Sequence, residues 1–244
     1  MSFNFKEQTK NCQFEINQKF YLHIFYNGKE NLMILEFCAE NFTKVPEAIK
    51  RGAHRIELCD NLAEGGTTPS YAVVEHTVDY AKDQNATVMT MVRPRGGDFV
   101  YSKAEHEMMK KDLEIIKNLG AQGVVFGSLT ADNLIDREKT KELVDLSGDM
   151  ETTFHMAFDE ISREDQKAEL DWLIQNKITR ILTHGGLEDT VFDNADWLKE
   201  LIEYADGRIE ILVGGGVTHE NWEKLAEAVP TNQFHGTKIV NFEN

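Results

Sequence analysis

Nowhere does this chain string together the roughly 18 apolar residues that a membrane-crossing helix needs. Cysteine is scarce as well. Three residues, an odd number, do not make a disulfide framework and point to a reducing compartment. Basic residues are outnumbered, 26 Lys and Arg against 42 Asp and Glu. The net charge of −16 opposes unsteered binding to nucleic acid or to an anionic membrane surface, so an anionic ligand needs a local basic pocket. No signal-peptide pattern opens the chain, because Phe20 to Tyr26 is too short, is interrupted by His23 and is not followed by a small-residue cleavage site. The expectation is a cytoplasmic protein with neither a nucleic-acid nor a membrane partner.

What the chain does have is a charged loop of unusual density. The apolar run Ala86 to Val92 ends abruptly in Arg93-Pro94-Arg95-Gly96-Gly97-Asp98-Phe99-Val100-Tyr101, after which Ser102 opens a helix. A guanidinium is a rigid fork of donors suited to carboxylate or phosphate. Pro94 biases Arg93 towards an extended backbone, and the two glycines permit a turn that side chains would forbid. Such a loop holds an anion, or else its arginines pair with neighbouring acids and its glycines only turn the chain.

Around it, short apolar runs alternate with amphipathic stretches. Strands are expected at Ile34–Cys38, Arg55–Cys59, Thr87–Val92, Gly123–Gly127, Thr152–Met156, Arg180–His184, Ile209–Val213 and Gln233–Gly236. Between them, Thr68-Pro69, Ser102 with Glu105, Ser162 with Asp165, and Thr218 mark helix starts, while Gly52, Gly120, Gly148 and Gly207 mark stops. Eight strands separated by helices in 244 residues predict one closed (β/α)8 TIM barrel from Met33 to the end, with an open doubly wound sheet as the alternative. Residues 1–32 read as an extension outside that core. Phe14, Ile16, Phe20, Leu22, Ile24 and Tyr26 alternate loosely, and Asn27-Gly28 offers a hairpin turn.

Side chains alternate faces along a strand. Glu36 and Cys38 therefore share the face opposite Leu35 and Phe37, and Arg55, Glu57 and Cys59 oppose Ile56 and Leu58. The polar parity is expected to face inward, where buried carboxylates need partners. In this architecture chemistry gathers at the C-terminal strand ends. Glu36, Cys38, Glu57, Cys59, Arg93, Arg95, Asp98, His155 and Asp159 fall there, whereas Arg55, Arg180 and Arg208 begin strands and read as structural.

Six stretches together resemble the copper homeostasis protein CutC family. They are Leu35-Glu36-Phe37-Cys38, Gly52 to Cys59, Glu64 to Ser70, Arg93 to Ser102, Thr153 to Asp159 and Val213 to Thr218. The resemblance runs from about residue 33 onward. It implies a TIM barrel and a cytoplasmic, usually oligomeric protein, with a homo-dimer favoured. One departure is Met156, which stands where the family pattern His-Arg-Ala-Phe-Asp has arginine and so removes one cation from the barrel mouth. The family also often continues past the eighth strand, whereas this chain stops at Asn244.

Copper is the cofactor or cargo that the resemblance implies, since Cys38 and Cys59 match cysteines implicated in Cu(I) binding, with Glu36 as a further candidate. Thiolates are the soft ligands that Cu(I) prefers, although a free cysteine is more often a small buried hydrophobe. Two other readings use the same mouth. In one, an enzyme of unassigned reaction clamps a small anionic substrate. There Arg93 and Arg95 with Asp98, the Gly214-Gly215-Gly216 turn and Gly236-Thr237 would hold the anion, and Glu57, His155 and Asp159 would handle protons. In the other, Glu36, Glu57, His155 and Asp159 bind a divalent metal through hard donors.

Overall fold

A computed structural model describes residues 13–17, 21–26, 29–186 and 190–243, with side chains from Leu32 onward. Three short strands, β1 (Gln13–Asn17), β2 (Tyr21–Tyr26) and β3 (Lys29–Leu32), pair in antiparallel order β1-β2-β3. Asn27 and Gly28 lie outside the described residues, and the strands that flank them pair at Tyr26 and Lys29. Cys12 also lies outside them.

From Ile34 the chain forms the closed barrel that its periodicity predicts. Its parallel strands are β4 (Ile34–Glu40), β5 (Arg55–Cys59), β6 (Thr87–Met91), β7 (Gly123–Phe126), β8 (Glu151–Phe154), β9 (Arg180–Thr183), β10 (Glu210–Val213) and β11 (Gln233–Gly236). Closure comes from β11 pairing with β4, which sets His235 beside Glu36. Helices follow the strands in order: α1 (Val45–Lys50), α2 (Tyr71–Lys82), α3 (Lys103–Asn118), α4 (Arg137–Ser147), α5 (Arg163–Gln175), α6 (Ala195–Ala205) and α7 (Trp222–Ala228). After β11, residues 237–243 run without a helix. Ile239 and Val240 are buried there, and the Phe242 ring packs on Phe37 at 5.3 Å where an eighth helix would cover it. No helix among the described residues is long and apolar enough to cross a membrane.

Local chemistry sets the helix starts. Ser102 and Glu105 form a reciprocal capping box at α3, so two otherwise orphaned backbone donors are satisfied. Two starts fall later than the sequence suggests. The Thr68 N–H and hydroxyl both bond the Arg93 carbonyl, which ties that residue to the next loop and moves the cap of α2 to Ser70. Thr218 bridges to Lys238, and α7 starts after Asn221, whose Oδ1 accepts from Thr218 N.

One apolar parity of the strands packs on the helices as the main core, with Ile56, Leu58, Phe126, Phe154, Ile181 and Phe234 fully buried. The opposite parity fills the barrel, and there the composition changes. Glu36, Arg55, Glu57, Arg180, Gln233 and His235 are all buried, beside a small sulfur-rich group of Cys38, Cys59, Met89 and Met91.

Candidate functional site

The barrel interior begins with a charged layer. Strand register places Glu36 beside Arg55 on one side and His235 on the other. Glu36 accepts from Arg55 Nε, His235 Nδ1 stands 2.8 Å from Glu36 Oε1, and Arg55 Nη2 donates to Gln233 Oε1 at 2.8 Å. A buried carboxylate survives only with such partners. Burial pushes the Glu36 carboxyl up, but Arg55 and His235 outweigh it and hold the group at about 2.

One step towards the strand ends, Cys38 faces Glu57 across the β4–β5 ladder. Glu57 Oε2 lies 3.2 Å from Cys38 Sγ, 3.6 Å from Cys59 Sγ and 3.6 Å from His235 Nε2. The Cys59 hydrogen bond, then His235 and Glu57, pull the Cys38 thiol well below its ordinary value against burial. That bond to Cys38, reinforced by burial, pushes the Cys59 thiol up, and burial likewise raises the Glu57 carboxyl. Burial works against a charged His235 as well, but Glu57, Cys38 and Glu36 raise it well above an ordinary imidazole. Of the two thiols Cys38 is therefore the more acidic, and of the two carboxyls Glu57 is the less acidic. Glu57 Oε1 is buried with no hydrogen-bond partner among the described residues. Donor atoms of Cys38, Glu57 and His235 all fall within 4.8 Å of one another, a spacing that suits one metal ion.

Gly66 closes over this group. Its backbone has φ of +87°, and a Cβ there would stand 3.2 Å from Cys59 Sγ, so the β5–α2 loop comes this close only with glycine.

Arg93 and His155 keep different company. Arg93 Nη1 donates to the carbonyls of Glu64 at 2.7 Å and Gly66 at 3.0 Å, and Nη2 donates to Gly97 O at 2.8 Å, so the guanidinium clasps two loops together. It stands over the Phe99 ring at 5.0 Å, and the His155 ring packs on Phe99 at 4.8 Å. Burial, with Arg93 adding to it, drops His155 to about 3, so the ring is neutral at physiological pH. Arg95 is taken up by Glu105 at 2.6 Å and Asp98 at 3.0 Å, while the Asp98 carboxylate also caps Val100 N.

Asp159 forms a further unit. It accepts from the Thr183 hydroxyl, from Gly185 N and from His184 N, and its Oδ2 lies 2.7 Å from His184 Nδ1. Glu36, Glu57, His155 and Asp159 thus divide among three hydrogen-bonded groups. The glycine turn packs on histidines: a Cβ on Gly215 would meet His184 Cβ at 2.5 Å, and one on Gly214 would meet His235 Cδ2 at 3.2 Å. On the other side of that turn, a Cβ on Gly236 would meet Val217 O at 2.3 Å. A Cβ on Gly216 would meet nothing within 4 Å, and Thr237, which follows Gly236, is exposed.

Three residues outside the sequence candidates matter here: His235, Arg55 and His184. His235 shares strand parity with Gln233, which was the available signal. Arg55 begins its strand, yet it reaches inward to Glu36. Arg180, the other buried strand-start arginine, pairs with Glu151 and Glu210 and bonds Thr153 at 3.2 Å. Arg208 stays outside on Asp171.

With this geometry in place, comparison with known proteins is decisive. The model of the CutC family matches residues 33–240. The chain belongs to the CutC family. A CutC family protein of Enterococcus faecalis is 52% identical over 209 residues, covering 85% of this chain and all of the relative. A human copper homeostasis protein cutC homolog is 39% identical over 208 residues, 85% of this chain and 74% of the relative. The crystal structure of CutC from Streptococcus agalactiae superposes with a TM-score of 0.83 at 42% identity, covering 85% of this chain and all of that one. A deoxyribose phosphate aldolase from Aeropyrum pernix shares the fold alone, with a TM-score of 0.63 at 10% identity. In this CutC chain the family match begins at Met33, which is fully buried.

Proposed function

We propose that this protein serves copper homeostasis by holding Cu(I) inside the barrel through Cys38 and Cys59, with His235 as the third donor once the ion displaces its Nε2 proton. The observation that carries this reading is the convergence of both thiols and the His235 ring on a single Glu57 oxygen, within 3.6 Å, in a buried site.

The donor types fit the ion, while the atoms already within 4.8 Å of one another are those of Cys38, Glu57 and His235, so Cys59 closes in as the ion binds. Two sulfurs and an imidazole are soft or borderline ligands, and Met89 and Met91 line the same space, which suits Cu(I) better than hard divalent cations. Glu36 accepts at His235 Nδ1 and so orients Nε2 towards the sulfurs, the arrangement by which outer carboxylates fix a histidine ligand. Relatives at 39–52% identity carry CutC in their names, the human one as a copper homeostasis protein, which supports the assignment.

Copper-edge X-ray absorption on the anaerobically loaded protein tests the donors. Sulfur scattering is expected, and it should weaken in Cys38→Ser. A first shell of nitrogen and oxygen alone would reject the reading.

A second reading rests on the Glu57 Oε1 atom, buried and without a partner. A protonated carboxyl in a barrel mouth is a general acid in waiting, and turnover that survives in the serine variants would favour it.

A further inference from the structure

Among the described residues, no carboxylate pairs with the buried Arg93 cation. The residue is 4% exposed, yet its three side-chain hydrogen bonds all go to backbone carbonyls, of Glu64, Gly66 and Gly97. Arg95, by contrast, has two carboxylates. The Glu64 side chain lies against Gly96, and among the described residues only its backbone carbonyl is seen to bond Arg93. A buried cation without a counter-charge is expensive, because carbonyl dipoles replace hydration only in part.

Buried donors without acceptors surround it. Among the described residues Arg93 Nε has no hydrogen-bond partner. His155 Nδ1 accepts from Ala157 N at 3.2 Å, so the neutral ring carries its hydrogen on Nε2, which also has no partner. Burial raises the Tyr101 hydroxyl while its interaction with the Arg93 guanidinium lowers it, and among the described residues the hydroxyl has no partner in good hydrogen-bond geometry. Tyr101 is 3% exposed and His155 4%. Phe99 ties the group together: Arg93 stands over its ring at 5.0 Å and His155 packs on it at 4.8 Å. Phe99 itself is only half-buried, so the ring that Arg93 and His155 share reaches solvent. Buried polar groups in native proteins are nearly always satisfied, so several orphans around one uncompensated cation point to an absent ligand that only accepts.

We propose that Arg93 Nε, His155 Nε2 and the Tyr101 hydroxyl bind the carboxylate of a small organic acid against Phe99. One guanidinium matches one negative charge. Two carboxylate oxygens suit a few donors set beside an apolar ring, whereas a phosphate dianion brings a second charge and a third oxygen into a protein of net charge −16. This ligand site uses none of the copper donors and does not rest on the copper reading. It is nevertheless adjacent to them, because Gly66 accepts from Arg93 through its carbonyl while its Cα faces Cys59 Sγ.

Titration of the full-length protein with acetate, pyruvate and inorganic phosphate tests the proposal, read by calorimetry and by the His155 ring resonances. Acetate or pyruvate is expected to bind once per chain and to move those resonances. Tyr101→Phe deletes only an unpartnered hydroxyl, so the fold should be kept while carboxylate affinity falls about tenfold. Arg93→Gln should abolish binding; should it fail to fold, Tyr101→Phe decides. The Cys38→Ser/Cys59→Ser variant should bind the carboxylates as the wild type does, which separates this proposal from the copper one. Silence of the His155 resonances at millimolar acetate and pyruvate, wild-type affinity in Tyr101→Phe, or tighter binding of phosphate would overturn it.

Discussion

Cys38 and Glu57 stand directly opposite each other on β4 and β5, with sulfur and carboxyl oxygen 3.2 Å apart in a buried setting. Their pairing leans towards a thiolate beside a protonated carboxyl, because burial raises Glu57 while Cys59 and His235 lower Cys38. The charge that the barrel interior keeps on carboxylate belongs to Glu36 instead.

That division predicts unequal costs for two similar substitutions. Glu57→Gln replaces a neutral acid by a neutral amide and should change unfolding free energy by no more than about 1 kcal/mol. Glu36→Gln leaves Arg55 and His235 buried without their anion and should cost about 3–5 kcal/mol. Urea unfolding of both variants gives the comparison. Equal losses would place the buried negative charge wrongly.

His155 predicts an acid-side loss of stability. Its folded value is about 3 against an ordinary 6.5, lowered by burial and then by Arg93. The unfolded chain therefore binds a proton that the folded one refuses, so this contribution is complete above pH 6.5 and shrinks as pH falls towards about 3. The effect is at most a few kcal/mol. Unfolding measured from pH 7 down to pH 4 in wild type and His155→Gln should converge as pH drops, and parallel curves would contradict it.

Much of this was legible because strand parity is local. A period of two is enough to put Glu36, Cys38, Glu57 and Cys59 on one face and to place Phe37, Ile56 and Leu58 on the other. What joins them was not legible. His235 meets Glu36 through the closure of the barrel, across 199 positions of sequence, and no local pattern encodes that register. Arg93 shows a second limit: backbone carbonyls occupy its fork, and backbone acceptors leave no trace in side-chain spacing. The shifted starts of α2 and α7 have the same origin, since Thr68 and Thr218 are engaged by other loops.

Residues 1–32 are predicted to be dispensable for the barrel. Among the described residues their strands pair with one another, while Met33 is fully buried and Leu32 reaches the barrel through its carbonyl, which accepts from Asn232. A protein that begins at Met33 should unfold in one cooperative transition, with a midpoint within about 5 °C of the full chain, a shift equivalent to about 1–2 kcal/mol. A broad transition would make the segment part of the core.

The most direct test of the copper assignment is a Cu(I) titration of the reduced protein against a chromophoric chelator, run side by side on wild type and Cys38→Ser/Cys59→Ser. Hydroxyls are poor ligands for a soft ion, so the double variant should lose affinity by orders of magnitude while remaining folded. Unchanged Cu(I) affinity in that variant would contradict the assignment of the two cysteines as ligands.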